Sequence, residues 1–331
     1  MDSKTAAQTL MFANRLCKRE RHLKKWARRT AVYAYRLYDR DIPEIPLCLD
    51  RYEDINGTVY LVLYLYERPY EKDKTEETLW LEAMQKTALK TLNVLPEHIF
   101  VKRRRRQKNR QTEAAQYAKQ AENDVCIRIR EGGLLFSVNL CSYVDTGLFF
   151  DHRILRDTVR TEAKNKSVLN LFCYTGSFSV YAAAGGASRV DSVDLSVPYL
   201  ERARHNLALN GFTDTTRFKL IQSDVFGFLR RSAQVWDIIV LDPPTFSNSK
   251  KTDTVLDINR DWPLLVSLCL SRLNKGGILY FSTNSRSLTF DENALRSLHP
   301  HPFSVSDISE KTIPEDFRNK RIHRCWKIHR N

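Results

Sequence analysis

Paired cysteines are what this sequence most plainly lacks. Its seven cysteines, at 17, 48, 126, 141, 173, 269 and 325, are odd in number and scattered, and none belongs to a Cys-x-x-Cys unit. That pattern argues against a disulfide framework and against a zinc site, and for reduced thiols in a cytoplasmic protein. The eight histidines do not fall at ligand spacing beside those cysteines, so no metal is expected. No apolar run approaches the roughly 20 residues of a membrane span, and the N-terminus has no signal-peptide core. A soluble intracellular protein is the expectation. The dinucleotide fingerprint Gly-x-Gly-x-x-Gly is also missing, which weakens any nicotinamide reading. No internal repeat is present.

What is present in excess is positive charge, +14 over 331 residues, and it is uneven. Residues 1–40 hold eleven Lys/Arg against three acids, residues 102–110 read KRRRRQKNR, and the last fourteen residues are again basic. One such cluster is as well explained by a solvated face as by a partner. Three favour a polyanion, because phosphate neutralisation with counterion release drives that binding. Nucleic acid is preferred to an anionic membrane, since none of these stretches pairs its charge with a strongly apolar face. Within the second cluster, Arg103, Arg104, Arg105, Arg106 and Lys108 are the candidate RNA contacts.

Helical periodicity over residues 4–38 predicts one or two basic helices, and Pro43 and Pro46 mark a boundary after them. LCLDRYED and TVYLVLYLYER, separated by Asn56-Gly57, read as a hairpin. The alternating Tyr60, Tyr64 and Tyr66 could stack bases, although strand packing explains them more simply. A helix over residues 76–92, a strand at 99–101, a polar loop at 111–124 and a hairpin in VCIRIREGGLLFSVNL follow. The predicted organisation is a basic helical extension over residues 1–44, a small α+β domain for RNA over 45–145, and a third region over 146–331. In this last region strands and helices alternate from residue 168 onward, predicting a doubly wound, largely parallel α/β sheet.

That sheet is organised around VLNLFCYTGSFSVYAAAGG, residues 168–186: a buried strand, a turn ending at Gly176, and a small-residue helix capped by Ser177. A strand, loop and helix N-terminus is where open α/β sheets place a ligand. Acids recur at successive strand ends. Asp194 follows the second strand, about where a carboxylate would accept bonds from ribose hydroxyls. Asp224 follows the third and would suit an adenine amine, and Asp242 follows the fourth. Each alone is more often a helix cap; together they favour a nucleoside ligand. In DPPTFSNSK, 242–250, Pro243 and Pro244 cannot continue a strand, so they hold a rigid turn with Asp242 at the ligand edge. Phe246 could stack on a flat base.

These strings resemble the class I S-adenosylmethionine-dependent RNA methyltransferases. Within them the chain is most similar to the large-subunit rRNA guanine-N7 group, the K half of fused bacterial K/L enzymes. The resemblance covers nearly the whole chain and rests on MFANRL, YRLYDRDIPEIPL followed by DRY, DTGLFFDHR, NLFCYTGS, VDLSVPYLERARHNLALNG, LIQSD, LDPPTFSNSK and RIHRCW. It implies a seven-stranded Rossmann-like sheet and S-adenosylmethionine as cofactor. Asn170, Phe172, Tyr174, Thr175 and Gly176 would hold the methionine part, Asp194 with Leu195 the ribose, and Asp224 with Val225 the adenine. Asp151 and Arg153 would close the site, and Asp242 to Phe246 would face the target base, in 23S rRNA or a large-subunit precursor particle. Asn170 stands where many class I methyltransferases carry an acid. The sequence has no counterpart of the N2-guanine half of the fused enzymes, so one activity is expected.

The target atom can be argued from the nucleophile. Carbon-5 of a pyrimidine needs a cysteine to add to the ring, yet the segment after the fifth strand, YFSTNSRS, has none, and Cys269 and Cys325 read as core. An exocyclic amine must lose a proton, whereas guanine N7 offers a free in-plane lone pair. Asp242 would orient the guanine through its Watson–Crick edge, with Asn284 as a second base contact. The alternatives are a cytosine-C5 or amino methyltransferase of the same fold, a dehydrogenase, and a non-catalytic RNA-binding assembly factor.

Overall fold

Asp2 opens the first helix by accepting the Thr5 N–H, and Ala31 closes it. Ala31 is left-handed, with φ 52°, and returns its N–H to the carbonyls of Ala27 and Arg28. The molecule is described from a computed structural model covering residues 2–66, 73–104, 124–247 and 255–331. Helix α1 therefore spans Ser3–Thr30, and the helix expected to reach residue 38 stops short. Its last part is instead strand β1, Ala34–Asp39, because AYRLYD finds a ladder partner in β2, Leu47–Glu53. Pro43 and Pro46 shape the turn between these strands and mark no boundary. The chain divides into two compact units, residues 1–146 with 315–319, and residues 147–314 with 320–331.

In the first unit β1 and β2 continue into β3, Val59–Tyr66, antiparallel, and β4, Ile99–Arg104, lies parallel beside β3. Helix α2, Lys74–Leu92, begins at the Asp73 cap and supplies the crossover that a parallel pair requires. A second hairpin, β5 Cys126–Glu131 and β6 Leu134–Asn139, completes the unit. Side chains alternate across each strand. Leu61, Leu63, Leu65 and Ile99 face one way and form a single core with Phe12, Leu16, Leu23 and Ala27 of α1 and Trp80, Met84 and Ala88 of α2. The basic helix is thus an integral layer of this unit, where an extension was expected.

The same alternation disposes of much of the arginine cluster. Lys102 and Arg104 fall on the opposite face from Ile99, level with Tyr64 and Tyr66. Lys102 is buried, donates to the carbonyls of Tyr143 and Val144, and has its pKa lowered to about 8 by desolvation. Arg104 bonds Asp145 at 2.6 Å and lies 5.0 Å over the Tyr64 ring. Tyr64 therefore packs and pairs inside the unit, and is not displayed as a stacking surface. Arg103 is exposed but reaches Glu77 at 2.9 Å. Arg105, Arg106 and Lys108 lie outside the described residues.

The second unit opens with α3 Arg153–Glu162, which leads to β7 Ser167–Leu171, α4 Ser177–Ala184, β8 Arg189–Asp194, α5 Val197–Leu209 and β9 Phe218–Gln222. Then come α6 Val225–Arg231, β10 Trp236–Leu241, the short pair β11 Phe246–Ser247 and β12 Leu256–Asp257, and α7 Ile258–Ser271. The chain ends with β13 Leu273–Thr283, α8 Glu292–Leu298, β14 Phe303–Asp307, α9 Ser309–Thr312 and β15 Arg324–Arg330. Seven of these strands form one sheet in the order β14-β15-β13-β10-β7-β8-β9. The ladders joining β13, β10, β7, β8 and β9 are parallel, while β15 runs antiparallel between β13 and β14. The doubly wound α/β sheet expected from the alternating pattern is present. Its strands read VLNL, WDIIVL and ILYF because helices cover both faces, so each strand is apolar on both sides.

Treating α1 as part of the core carries a measurable consequence. Leu16→Ala should lower the unfolding free energy of the first unit by about 2–4 kcal/mol, as for a fully buried leucine, read by denaturant titration of Trp26 and Trp80 fluorescence. A loss below about 0.5 kcal/mol, the scale of a surface substitution, would return the helix to a peripheral extension.

Candidate active site

The parallel strands β7, β8, β9 and β10 end together, with Leu171 level with Val193 and Leu241, and Asp194 level with Gln222. The loop after β7 is held in an unusual shape at that edge. Phe172 (φ 55°), Tyr174 (φ 51°) and Gly176 (φ 74°) are all left-handed. For bulky side chains this conformation costs of the order of 1–3 kcal/mol each. Hydrogen bonds from both sides hold it. Cys173 N–H donates to the Val193 carbonyl at 3.0 Å and Gly176 N–H to the Cys173 carbonyl at 2.8 Å. Tyr174 N–H donates to Asp194 Oδ2 at 2.9 Å, Thr175 Oγ1 to the Gly147 carbonyl at 2.5 Å, and Asn206 Nδ2 to the Thr175 carbonyl at 2.9 Å. Gly176 also touches α5: a Cβ there would sit 2.8 Å from the Ala203 Cβ. Ser177, expected to cap α4, is its first helical residue, and Gly176 occupies the cap position.

Asp194 is the hinge pin of this edge. Its second oxygen accepts the Ser196 N–H at 2.9 Å, so one carboxylate fixes both the β7 loop and the entry to α5. Burial pushes its pKa up, against the pull of the backbone N–H donors. Asp224 caps α6, accepting from Phe226 N–H at 3.1 Å and Gly227 N–H at 2.7 Å. The remaining lone pairs of each carboxylate are the acceptors a hydroxylated or amino ligand would use. Leu195 is half-buried beside Asp194, whereas Val225 is buried in the core. Asn170 is buried as well, its amide donating to Ser179 Oγ at 2.8 Å beneath α4. It thus braces α4 from within the sheet. Phe172 packs on the core, and Tyr174 lies between Phe149 and Tyr199, with ring centroids at 5.3 and 4.6 Å.

The fourth and fifth strands bring the base-facing candidates together. Asp242 Oδ1 accepts from Ser282 Oγ at 2.5 Å, across from β13, and Oδ2 lies 3.3 Å from His152 Nε2. Asn284 Oδ1 accepts from Thr245 Oγ1 at 2.6 Å, tying the end of β13 to the Asp-Pro-Pro loop. Pro243 is buried, Pro244 is half-buried, and Phe246 is half-buried in a two-residue ladder opposite Asp257. Asp151 Oδ2 bonds His323 Nδ1 at 3.1 Å, while His323 Nε2 contacts Thr312 Oγ1 at 2.9 Å. Arg153 is buried at the start of α3, its guanidinium 5.5 Å from the Phe150 ring.

Sequence reasoning missed His152, Ser282 and His323. The signal for His152 was its place between the singled-out Asp151 and Arg153, but only the fold points its ring at Asp242. Burial lowers its pKa, against the attraction of Asp242 and Asp151. Its Nδ1 is buried and without a partner among the described residues. Asp151, His152 and His323 place ligand atoms within 4.8 Å of one another. The two rings are stacked, however, 4.6 Å apart and 16° from parallel. Their in-plane lone pairs therefore do not converge on one ion, and within the trio Asp151 and His323 are joined by a hydrogen bond.

A parallel sheet with one reversed strand, a glycine-poor left-handed loop after the first strand, and carboxylates at the following strand ends make a Rossmann-like methyltransferase domain. The chain belongs to the S-adenosylmethionine-dependent methyltransferases, whose family profile matches residues 53–292. It is 45% identical over 320 residues to the ribosomal RNA large subunit methyltransferase K of Neisseria meningitidis serogroup B, covering 96% of this chain and 86% of that one. It is also 45% identical over 319 residues to the methyltransferase K/L of Stutzerimonas stutzeri, covering 96% of this chain and 42% of that one. A solved methyltransferase complexed with SAH superposes with a TM-score of 0.72 at 21% identity, over 97% of this chain and 81% of that one. One from Agrobacterium tumefaciens gives 0.57 at 20%, over 86% and 87%. These last two likenesses concern the fold. The cofactor is S-adenosylmethionine, and the puckered loop closed over Ala203 with carboxylates beside it fits that molecule. No helix among the described residues is long and apolar enough to cross a membrane.

A neutral buried His152 makes stability depend on pH with a definite sign. The unfolded chain binds a proton below about pH 6.5 that the folded chain does not, so stability falls as pH drops through that value, by about 1.4 kcal/mol per pH unit for each such group. His299 and His329 shift the same way by burial. Thermal melting of the second unit between about pH 7 and pH 5.5 should therefore fall less steeply in His152→Gln than in the wild type. Superimposable pH profiles would refute a neutral His152.

Proposed function

We propose that this protein transfers a methyl group from S-adenosylmethionine to N7 of a guanine in large-subunit ribosomal RNA. The observation that carries the target atom is the Asp242 carboxylate, held from both sides at the end of β10, in a unit whose cysteines are all buried. Burial raises the thiol pKa of Cys173, Cys269 and Cys325 alike. None is available to add to a pyrimidine ring, which removes the route to carbon-5. The choice of RNA rests on the relatives named as large-subunit rRNA methyltransferases.

In this reading Tyr174, Thr175 and Gly176 shape the seat for the methionine part, with the positive end of α4 beside it. Asp194 and Leu195 border the ribose, and Asp224 with Val225 the adenine. Asn170 acts from beneath, through Ser179, and Asp151 and Arg153 border the site at the start of α3. The cofactor supplies a methyl group on a sulfonium, already an excellent leaving group, so the protein's work is alignment and exclusion of water. Asp242 accepts hydrogen bonds from the guanine N1–H and N2–H, which aims N7 along the line of attack. Phe246 stacks on the ring, and Asn284 contacts its edge. No base is needed, because N7 carries no proton. Methylation leaves the guanine positively charged, and the Asp242 carboxylate stabilises that charge as it develops. Ser282 is a positioning residue that donates to Asp242, and His152, with Nε2 3.3 Å from the other carboxylate oxygen, backs it.

Two experiments test this reading. Mass mapping of large-subunit rRNA from cells lacking the protein should show one N7-methylguanine missing, and an unchanged inventory removes the hypothesis. Asp242→Ala should lose about a hundredfold or more in turnover, the scale of a lost orienting contact, while its calorimetric affinity for S-adenosylhomocysteine stays within about threefold. Weakened cofactor binding with normal turnover at saturation would contradict a base-facing role.

A further inference from the structure

The cations of α1 are sorted by the helix itself. At about 100° per residue, the buried Phe12, Leu16, Leu23 and Ala27 share one side, and Lys18, Arg21, Lys24, Lys25, Arg28 and Arg29, all exposed, share the other. The stripe covers eleven helical steps, about 16 Å. From Cys17 to Thr30 the one acid is Glu20, which is half-buried off the stripe and accepts from the Tyr35 hydroxyl at 3.3 Å. Among the described residues, the ion pairs of α1 use Arg15 and His22, and none uses these six cations.

Ordinary surface requirements do not explain the stripe. Solubility is served by mixed signs, and like charges three or four positions apart destabilise a helix by about 0.2–0.5 kcal/mol per pair. The helix dipole accounts for Arg28 and Arg29 in the last turn, but not for Lys18, Arg21 and Lys24. A polyanion does account for all six, since each phosphate it brings releases condensed counterions. A bilayer surface would need the apolar face of the helix to insert, and that face is committed to the core with Trp80 and Met84.

We propose that this stripe of α1 is a docking surface for the phosphate backbone of RNA, in preference to Arg103 and Arg104. The inference rests on ribosomal RNA being the substrate, but not on which atom is methylated. Arg104 is engaged by Asp145 and Tyr64, and Arg103 by Glu77, so the described part of that cluster offers little free charge.

The test uses the full chain and an in vitro transcript of large-subunit rRNA, with affinity measured across a potassium chloride series. The triple variant Arg21→Glu, Lys25→Glu, Arg28→Glu should bind at least about tenfold more weakly. Its plot of log affinity against log salt should be flatter by about two, the share of three phosphate contacts. The neutral triple Arg21→Gln, Lys25→Gln, Arg28→Gln should flatten the slope while melting within a degree or two of the wild type, roughly as surface substitutions do. Both should bind S-adenosylhomocysteine normally. If the neutral triple keeps the wild-type affinity and slope, the surface is overturned, whatever the glutamate variant does. Should the variants keep the slope while the wild type methylates the transcript, the surface fails and the activity stands. A wild-type slope lost in the variants, with a methylated product other than N7-methylguanine, upholds the surface and sinks the N7 assignment. Sedimentation with phosphatidylserine vesicles that the substitutions abolish, at unchanged RNA affinity, would overturn RNA as the partner.

Discussion

One carboxylate holds the strand-end edge of the second unit in shape. Asp194 accepts a backbone N–H from Tyr174 with one oxygen and from Ser196 with the other, so the loop after β7 and the start of α5 cannot move independently. The loop it clamps has three left-handed residues in five, a conformation that Phe172 and Tyr174 would not adopt unaided. Close packing completes the constraint, because the backbone at Gly176 approaches Ala203 too nearly for any side chain. The residue proposed to meet the ribose therefore also maintains the shape of the loop after β7.

The edge at the end of β10 is arranged on a different principle. Asp242 is half-buried, with the Ser282 hydroxyl donating to one oxygen and His152 Nε2 3.3 Å from the other. Neutral donors fix the direction of a carboxylate without cancelling its charge, which an arginine or lysine in the same place would do. Burial is the largest influence lowering the His152 pKa, joined by the nearby His323 and Arg156, while both neighbouring carboxylates pull it the other way. The stacked His323 and its bonds to Asp151 and Thr312 fill the space beside it.

In the first unit, the two-residue alternation of strands decides which charges are available. Lys102 and Arg104 are drawn inside with Tyr64 and Asp145, and the helical repeat of α1 turns six other cations outward. Charge runs of similar composition thus have opposite fates, and the difference is periodicity. A run on a strand is split between two faces, whereas cations spaced three and four apart on a helix are gathered onto one.

Much was settled by the sequence alone. The apolar runs VLNL, WDIIVL and ILYF, separated by helical stretches, required a parallel sheet covered on both faces, and the acids after successive strands required a polar ligand edge, because strand direction puts those ends together. The missing glycine fingerprint turned that edge away from a dinucleotide. Tertiary structure alone decided which neighbours each acid meets. Asp224 caps its helix, Asn170 lies beneath α4, and Asp242 faces His152, far away in the chain. The fate of residues 34–39 was also a tertiary matter, since a ladder with β2 outweighed the local helical pattern. Local spacing fixes where a residue sits along its own element, but contacts between elements distant in sequence depend on how the sheet and helices pack, and no short window of sequence contains that information.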